Sequence, residues 1–188
     1  GMADAIHGPR HNVEIPEFSG GTFASLEETL AKYKLDGLVN ARNPLDLTPM
    51  ADDQAYTDCA RVVLQDHRID ALVASFVPLT AKLLTTADEI GDQKSVAHRL
   101  AALFHESAKP LVAVVDSGPA YEPIVHVMRS AGLPVFRSAD EAIRSLGLYL
   151  GHRTSRASPK TRTSSAAPKP RTKSATGISA ERAPASTR

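Results

Sequence analysis

Polar residues follow two apolar runs of the sequence, and their placement suits the binding of a ligand. Pro78 ends the run at 70–77, and Ser117 and Gly118 follow the run at 110–115. The carboxyl ends of parallel strands meet on one edge of a doubly wound sheet, where such folds bind their ligands. In the predicted sheet these ends are the regions of Pro78, Ser117 and Arg137. We therefore predict that Pro78, Ser117 and Gly118 line a binding site, in which the Asp116-Ser117-Gly118 turn makes a polar contact with a ligand such as a phosphate. The alternative is a plain turn between a strand and a helix, in which Gly118 supplies backbone freedom.

A second candidate is the Asn43-Pro44-Leu-Asp46 segment. Pro44 fixes its own φ and biases Asn43 toward an extended conformation. Asn and Asp side chains accept hydrogen bonds from nearby backbone amides and hold turns. We predict a rigid, sharply turned loop. Asn43 and Asp46 either face a ligand or partner surface, or only brace the loop.

Other kinds of chemistry fit the sequence poorly. His98, His105 and Glu106 lack the spacing of a metal-binding His-Glu-x-x-His helix, and no second cluster completes a ligand set. Ser75 lies in an apolar run without the Gly-x-Ser-x-Gly context of a hydrolase nucleophile. Cys59 lies on the apolar face of a predicted helix, where a buried thiol is inert. Neither a GxxxxGK[ST] nor a GxGxxG motif occurs. The sequence therefore predicts no catalytic residue and no metal site.

Alternating apolar runs and helical patterns predict an α/β fold with a mostly parallel sheet. Buried strands are predicted at 70–77, 110–115 and 133–136, with a further short or edge strand at 37–40. Helices are predicted at 52–67, 93–107 and 119–131, and Ser-x-x-Glu capping boxes predict helix starts near Ser25 and Ser138.

Charge divides the chain into two parts. Residues 1–150 hold 13 Lys/Arg against 20 Asp/Glu, whereas residues 151–188 hold 9 against 1. The second part is rich in Ser, Thr, Ala and Pro, so we predict a folded domain over 2–150 and a disordered basic tail over 151–188. Basic arms of this kind bind nucleic acids through phosphate contacts, and they also occur as solvated extensions.

The remaining composition indicates a cytoplasmic protein. The single cysteine excludes an internal disulfide framework. The sequence has neither a secretion signal pattern nor an apolar run long enough to span a membrane, so we expect no membrane association. Gly1 before Met2 is typical of an expression-tag remnant.

An ordered series of motifs resembles one family. The segments that carry it are 13–19 (VEIPEFS), 43–47 (NPLDL), 69–73 (IDALV), 109–114 (KPLVAV) and 132–143 (GLPVFRSADEAI). In this order they resemble the ligase-CoA domain of the NDP-forming acyl-CoA synthetases, which are relatives of succinyl-CoA synthetase. The match covers about residues 2–150, and its specificity lies in the order of the motifs, because each one alone is weak.

The resemblance implies a flavodoxin-like three-layer sandwich and a part in the reaction acyl-CoA + NDP + phosphate = carboxylate + CoA + NTP. It makes CoA, ADP and ATP the candidate ligands of Asn43, Asp46, Pro78, Ser117 and Gly118. The family's phosphate-carrying His, in a Ser/Gly-His-Thr-Gly context, has no counterpart here, and neither do its CoA-binding and ATP-grasp domains. The family's first strand, with its Asn-Ala-Gly-Gly loop, is also missing.

Two functions follow from these observations. We expect an accessory or partial synthetase domain that is inactive alone, forms a homo-oligomer and works with CoA-binding and ATP-grasp subunits in trans. The alternative is a nucleic-acid-binding or other polyanion-binding protein that acts through its basic tail.

Overall fold

The computed structural model describes residues 8–78 and 80–157. The helices are α1 (Gly20–Lys32), α2 (Asp53–Gln65), α3 (Val96–Glu106), α4 (Glu122–Ser130) and α5 (Ala139–Ala157). The strands are β1 (Leu72–Phe76), β2 (Leu111–Val115) and β3 (Val135–Phe136), and short 3-10 helices lie at Pro9–His11 and Pro119–Tyr121.

The three strands form one parallel sheet in the order β1-β2-β3. Side chains on one face of the sheet pack against α2, α3 and α4 in the main core. The opposite face, with Val112 and Val114, packs against Ala142 and Leu146 of α5. Every residue of β2 is buried, as expected for a central strand covered on both faces. The predicted α/β class, the parallel sheet and the layered arrangement are confirmed.

A second core lies beside the first, between α1 and α2. Leu26 and Leu30 of α1 pack with Cys59 and Val63 of α2. Helix α1 begins earlier than the capping box at Ser25 predicted. Ser19 is its N-cap, and Oγ of Ser19 accepts a hydrogen bond from the amide of Thr22 at 3.3 Å. Either serine matches the preference for hydroxyl side chains at this position, and tertiary contacts of Ser19 decide the choice.

The strand predicted at 37–40 is wrong. The amides of Leu38 and Val39 both donate to the carbonyl of Leu35, which closes a turn after α1 in place of a strand. Val39 is buried in the second core. Of this segment only Val39 is buried, whereas Leu38 is 59% exposed, so the apolar pattern does not distinguish this turn from a strand.

The helix start predicted at Ser138 is confirmed, since its Oγ accepts a hydrogen bond from the amide of Glu141 at 3.3 Å. The helix α5 that begins there continues to Ala157, past the predicted domain boundary at 150. Residues 151–157, which were assigned to the tail, are therefore helical. The rest of the predicted tail, 158–188, lies outside the described residues.

The buried carboxylate of Asp66 joins three parts of the chain. Its oxygens accept hydrogen bonds from the amide of Ser19 at 2.8 Å and from the amide of Arg68 at 2.9 Å. Its backbone carbonyl accepts a hydrogen bond from Nζ of Lys109 at 2.6 Å. Burial alone would raise the pKa of Asp66, but the hydrogen bonds from Arg68, Ser19 and the Thr22 hydroxyl outweigh it and lower the pKa to about 2.

Asp53 makes a similar junction at the other end of α2. Its carboxylate accepts hydrogen bonds from the amide of Leu84 at 3.1 and 3.2 Å and from the amide of Val96, the first residue of α3, at 2.5 Å. Burial raises the pKa of Asp53, and the two amides offset part of that effect. One side chain thus fixes the start of α3 and the segment after β1.

Gly147 lets the N-terminal segment cross α5 at short range. A Cβ atom at this position would lie 2.2 Å from the carbonyl oxygen of His11 and 3.2 Å from a methyl carbon of Val13. Nearby, Nε2 of His11 lies 3.4 Å from a carboxylate oxygen of Asp140. Packing therefore requires a glycine at position 147, because any side chain there would collide with the N-terminal segment.

We expect Asp66→Asn to lower the free energy of unfolding at neutral pH by about 2 kcal/mol, because the amide of Ser19 loses its charged acceptor. In the wild type, a carboxylate with a lowered pKa stabilises the fold above its ordinary pKa of 3.8 and loses this effect as the pH falls toward about 2. Urea unfolding across this range should show that decline, and Asp66→Asn should flatten it. Asp70→Asn, which changes an exposed carboxylate nearby, is the control and should behave as the wild type does.

We expect Gly147→Ala to destabilise the protein by roughly 1–3 kcal/mol, since the added methyl group meets backbone that cannot move freely. Gly151→Ala is the matched control in the same helix, because a Cβ there meets nothing within 4 Å. It should be neutral or stabilising by up to about 1 kcal/mol, as alanine favours helix. Thermal unfolding compares the two, and equal melting temperatures would contradict the close crossing.

Candidate functional site

The carboxyl ends of β2 and β3 carry a set of polar groups linked by Arg137. This residue follows β3 directly, and its guanidinium lies 3.4 Å from the carbonyl of Val115 and 3.5 Å from that of Ser117. It also forms a close ion pair with Glu122, the first residue of α4. Arg137 therefore holds the end of β2, the start of α4 and the end of β3 together.

Ser117 lies in the turn between β2 and α4. Its hydroxyl oxygen is buried and has no hydrogen-bond partner among the described residues. Gly118 is exposed and extended, with open space where a Cβ would be, so it requires no special backbone freedom. The hydroxyl therefore has unused hydrogen-bonding capacity, but its oxygen is shielded from solvent, so a ligand contacts it only if the turn moves.

Pro78 follows β1 and is buried, so it shapes this edge without presenting a polar group. Its carbonyl accepts a hydrogen bond from Oγ1 of Thr85 at 3.2 Å. Oγ1 of Thr80 donates to the carbonyl of Pro49 at 2.8 Å. The segment after β1 is thereby tied to the loop that precedes α2.

Asp46 braces its own loop, and Asn43 ties that loop to an earlier segment of the chain. Nδ2 of Asn43 donates to the carbonyl of Pro16 at 2.9 Å, and the peptide bond between Asn43 and Pro44 is cis. A carboxylate oxygen of Asp46 accepts a hydrogen bond from the amide of Thr48 at 3.0 Å, where Thr48 has a φ of 60°. The contact of Asn43 joins the two segments that open the motif series, 13–19 and 43–47. Neither side chain makes a described contact with Ser117 or Gly118.

Arg137 and Glu122 belong to the candidate site. The sequence places the region of Arg137 at the carboxyl end of a predicted strand, but neither side chain was among the residues predicted to contact a ligand. The signal that could have found Arg137 is its position, because it is the first charged residue after a strand. Glu122 starts a helix, where a carboxylate is favoured by the helix dipole, so its type alone carries no sign of the ion pair. Pairing between the two depends on the fold.

The chemistry available to this arrangement is binding. A guanidinium offers several donors for a phosphate or carboxylate, and the hydroxyl of Ser117 adds one more. The ion pair with Glu122 reduces the charge that Arg137 presents, so a phosphate must compete with that carboxylate. Among the described residues no group of His, Cys, Asp and Glu is arranged to hold a metal ion.

Cys59 has the most nucleophilic type of side chain in the sequence, but its surroundings suppress the formation of the thiolate. The thiol is buried in the second core. Burial, together with the nearby carboxylate of Asp58, raises the pKa of Cys59 to about 12. Because only the thiolate is reactive, this residue is a packing group.

A shallow cavity of about 230 Å³ lies beside α1, away from the three strands. Its lining includes Phe23, Glu27 and Asp36 together with Arg42. The mixed charges and open shape give it no evident selectivity for one ligand. Separately, none of the helices in the part of the chain that the structure describes is long and apolar enough to cross a membrane.

Comparisons with known proteins find similarity in structure. No protein-family model matches the sequence, and no curated protein matches it significantly. The solved structure of PH0766 from Pyrococcus horikoshii OT3 is similar with a TM-score of 0.64 and 20% identity, over 78% of this chain and 32% of that one.

A dinucleotide-forming acetyl-coenzyme A synthetase 1 from Ca. Korarchaeum cryptofilum is also similar. Its apo form has a TM-score of 0.53 and 18% identity, over 84% of this chain and 39% of that one. Its complex with phosphate and ADP has a TM-score of 0.52 and 16% identity, over 84% and 38%. This chain thus spans less than two fifths of the length of these structures. At the level of the fold, the resemblance to a domain of a CoA-ligating synthetase is confirmed.

Proposed function

We propose that this chain is an accessory or partial domain of an NDP-forming acyl-CoA synthetase, inactive alone and dependent on CoA-binding and ATP-grasp partners in trans. The observation that supports this most is the shared fold with part of an acetyl-coenzyme A synthetase that was also solved with phosphate and ADP. The motif series at 13–143 follows the same family order.

The proposed role of the domain is to bind a phosphate-bearing ligand at the carboxyl edge of the sheet. Ser117 offers an unpartnered hydroxyl, and Arg137 offers a guanidinium that already lies beside the end of β2. A phosphate of CoA or of a nucleotide matches both donors. Pro78 and Gly118 shape the edge, whereas Asn43 and Asp46 keep the neighbouring loop rigid for contact with a partner domain.

Three of the described histidines, His11, His98 and His126, have contacts away from the proposed site, which supports a role without phosphoryl transfer. His11 faces Asp140, His98 lies 3.0 Å from Oγ of Ser95, and His126 lies 3.5 Å from Oγ of Ser130. The first contact joins the N-terminal segment to α5, and the other two lie at or within a single helix. No described contact joins any of the three to Ser117 or Arg137. The domain would therefore contribute binding and leave the transfer steps to its partners.

Calorimetric titration of the full chain with CoA, acetyl-CoA, ADP and ATP tests this proposal. We expect micromolar binding of at least one of them, and Arg137→Ala should weaken it by about tenfold, since a hydrogen bond to a charged group contributes about 1.5–3 kcal/mol. Arg144→Ala removes an exposed arginine from α5 and is the matched control. Ser117→Ala should weaken binding by a smaller factor. Absence of binding by all four compounds, or equal loss in the Arg144 variant, would contradict the proposed site.

The charge division of the chain favours a second candidate function, binding of nucleic acid through the basic tail. Residues 158–188 hold seven Lys/Arg and one Glu and lie outside the described residues. We expect the full chain to retain DNA in a salt-sensitive manner, and a chain ending at Ala157 to lose this retention, because phosphate contacts release counterions. The truncation leaves α5 intact, so circular dichroism should show a folded domain. Equal retention by both chains would rule this function out.

A further inference from the structure

The site at the carboxyl edge of the sheet is closed in this structure. The hydroxyl oxygen of Ser117 is buried and has no hydrogen-bond partner among the described residues. The guanidinium of Arg137 contacts the carboxylate of Glu122 and two backbone carbonyls at the end of β2. One binding group is therefore shielded and the other is already paired, so a phosphate reaches both only if these contacts change.

The ion pair that closes the site is exposed. The side chain of Arg137 is 36% exposed and that of Glu122 is 56% exposed. Exposed ion pairs add little stability, because water screens the charges and both side chains lose rotational freedom. The two carbonyl contacts of Arg137, at 3.4 and 3.5 Å, are long for hydrogen bonds. Arg137 therefore loses little free energy when it exchanges Glu122 for another anion.

The turn between β2 and α4 has room to move. Residues 116 and 118–120 are exposed, and a Cβ at Gly118 would meet nothing within 4 Å. Within the turn, the amide of Tyr121 donates to the carbonyl of Gly118 at 3.1 Å. Val115 before the turn is buried, and so are Ile124 and Val125 after it. A rearrangement is therefore confined to the turn, while the strand and the helix stay in place.

The hydroxyl of Ser117 favours a second arrangement of this turn. Buried polar groups in folded proteins are nearly always paired, because an unpaired one destabilises the fold. A phosphate beside Arg137 supplies acceptor oxygens for the guanidinium and for the hydroxyl together. The hydrogen bond gained by Ser117 then compensates for the loss of the exposed ion pair.

Competition with Glu122 favours phosphates over carboxylates as ligands. Glu122 is tethered beside Arg137, so a free carboxylate offers the same chemistry at a lower effective concentration. A phosphate monoester carries a charge of roughly −1.5 to −2 at pH 7 and three strong acceptor oxygens. A phosphate therefore displaces Glu122 where a carboxylate does not.

We propose that Glu122 is an internal competitor of the phosphate ligand, a role that rests on the function proposed above. In the closed arrangement its carboxylate occupies Arg137 and holds the turn. A phosphate monoester replaces this carboxylate, the turn opens, and Ser117 donates its hydroxyl to the ligand. Glu122 thus admits phosphates to Arg137 and excludes carboxylates.

Hydrogen exchange of the ligand-free full chain tests the closed arrangement without any ligand. Glu122→Gln should speed exchange of the Tyr121 amide by roughly threefold to fivefold, the range that the loss of an exposed ion pair supports. Glu141→Gln removes an exposed carboxylate four residues after Arg137 and is the matched control, with unchanged exchange. The amide of Ala113, which donates to Pro134 within the sheet, is the internal reference. Equal exchange of Tyr121 in the wild type and in Glu122→Gln would overturn the proposal.

Calorimetry with ADP and CoA tests the competition. Glu122→Gln should tighten the binding of both by roughly threefold to fivefold, because no ion pair has to be broken, and Glu141→Gln should leave it unchanged. Sodium acetate, compared with sodium chloride at equal ionic strength, should not displace ADP from the wild type. It should displace ADP from Glu122→Gln, which lacks the tethered carboxylate.

The outcomes separate this inference from the proposed function. Binding by the wild type that Glu122→Gln leaves unchanged, or that Glu141→Gln tightens equally, would overturn the inference alone. Absence of binding by both the wild type and Glu122→Gln would overturn the inference and the proposed function together. If circular dichroism shows that Glu122→Gln does not fold, Glu122→Ala takes its place in both experiments.

Discussion

The buried carboxylate of Asp66 is the constraint on which the arrangement of the domain depends. It lies between the end of α2 and the start of β1, and it accepts the amide that begins α1. The same residue, through its carbonyl, holds Lys109 just before β2. Because a buried charge is tolerated only when it is well hydrogen-bonded, the amides of Ser19 and Arg68 cannot leave the carboxylate without a cost in stability. The second core between α1 and α2 is thereby positioned against the sheet.

Much of the fold could be predicted because its strands are nearly continuous apolar runs. The all-apolar β2 and the run before Pro78 leave few alternatives to a buried parallel sheet. The failures occurred where two local solutions were equally good. Ser19 and Ser25 both satisfy the rule for helix caps, and only the contact between Ser19 and the distant Asp66 selects between them. The apolar residues at 37–40 suit either a turn that packs on helices or a strand, so the sequence pattern does not show which of the two forms.

The candidate site illustrates a different limit. Its position at the carboxyl edge follows from strand order, and Ser117 could be located from the sequence alone. Arg137 is as important to the geometry, but its role depends on a carbonyl at 115 and a carboxylate at 122, which approach it only after β2 and β3 pair. Predicting such a group requires the register of the sheet. Asp46 shows the reverse case, because its residue type predicts the local bond with the amide of Thr48, whereas the bond from Asn43 to Pro16 depends on the fold.

The crossing of His11 over Gly147 sets an order for assembly on the ribosome. The three strands and the helices α1 to α4 are complete once residue 136 has emerged, yet one face of the sheet stays open to water. Only α5 covers this face, and Gly147 of α5 packs against His11, which is synthesised more than a hundred residues earlier. Nascent chains that stop short of this helix would therefore display Val112 and Val114 to chaperones, and His11 would lack its contact with α5 until the last helix is synthesised.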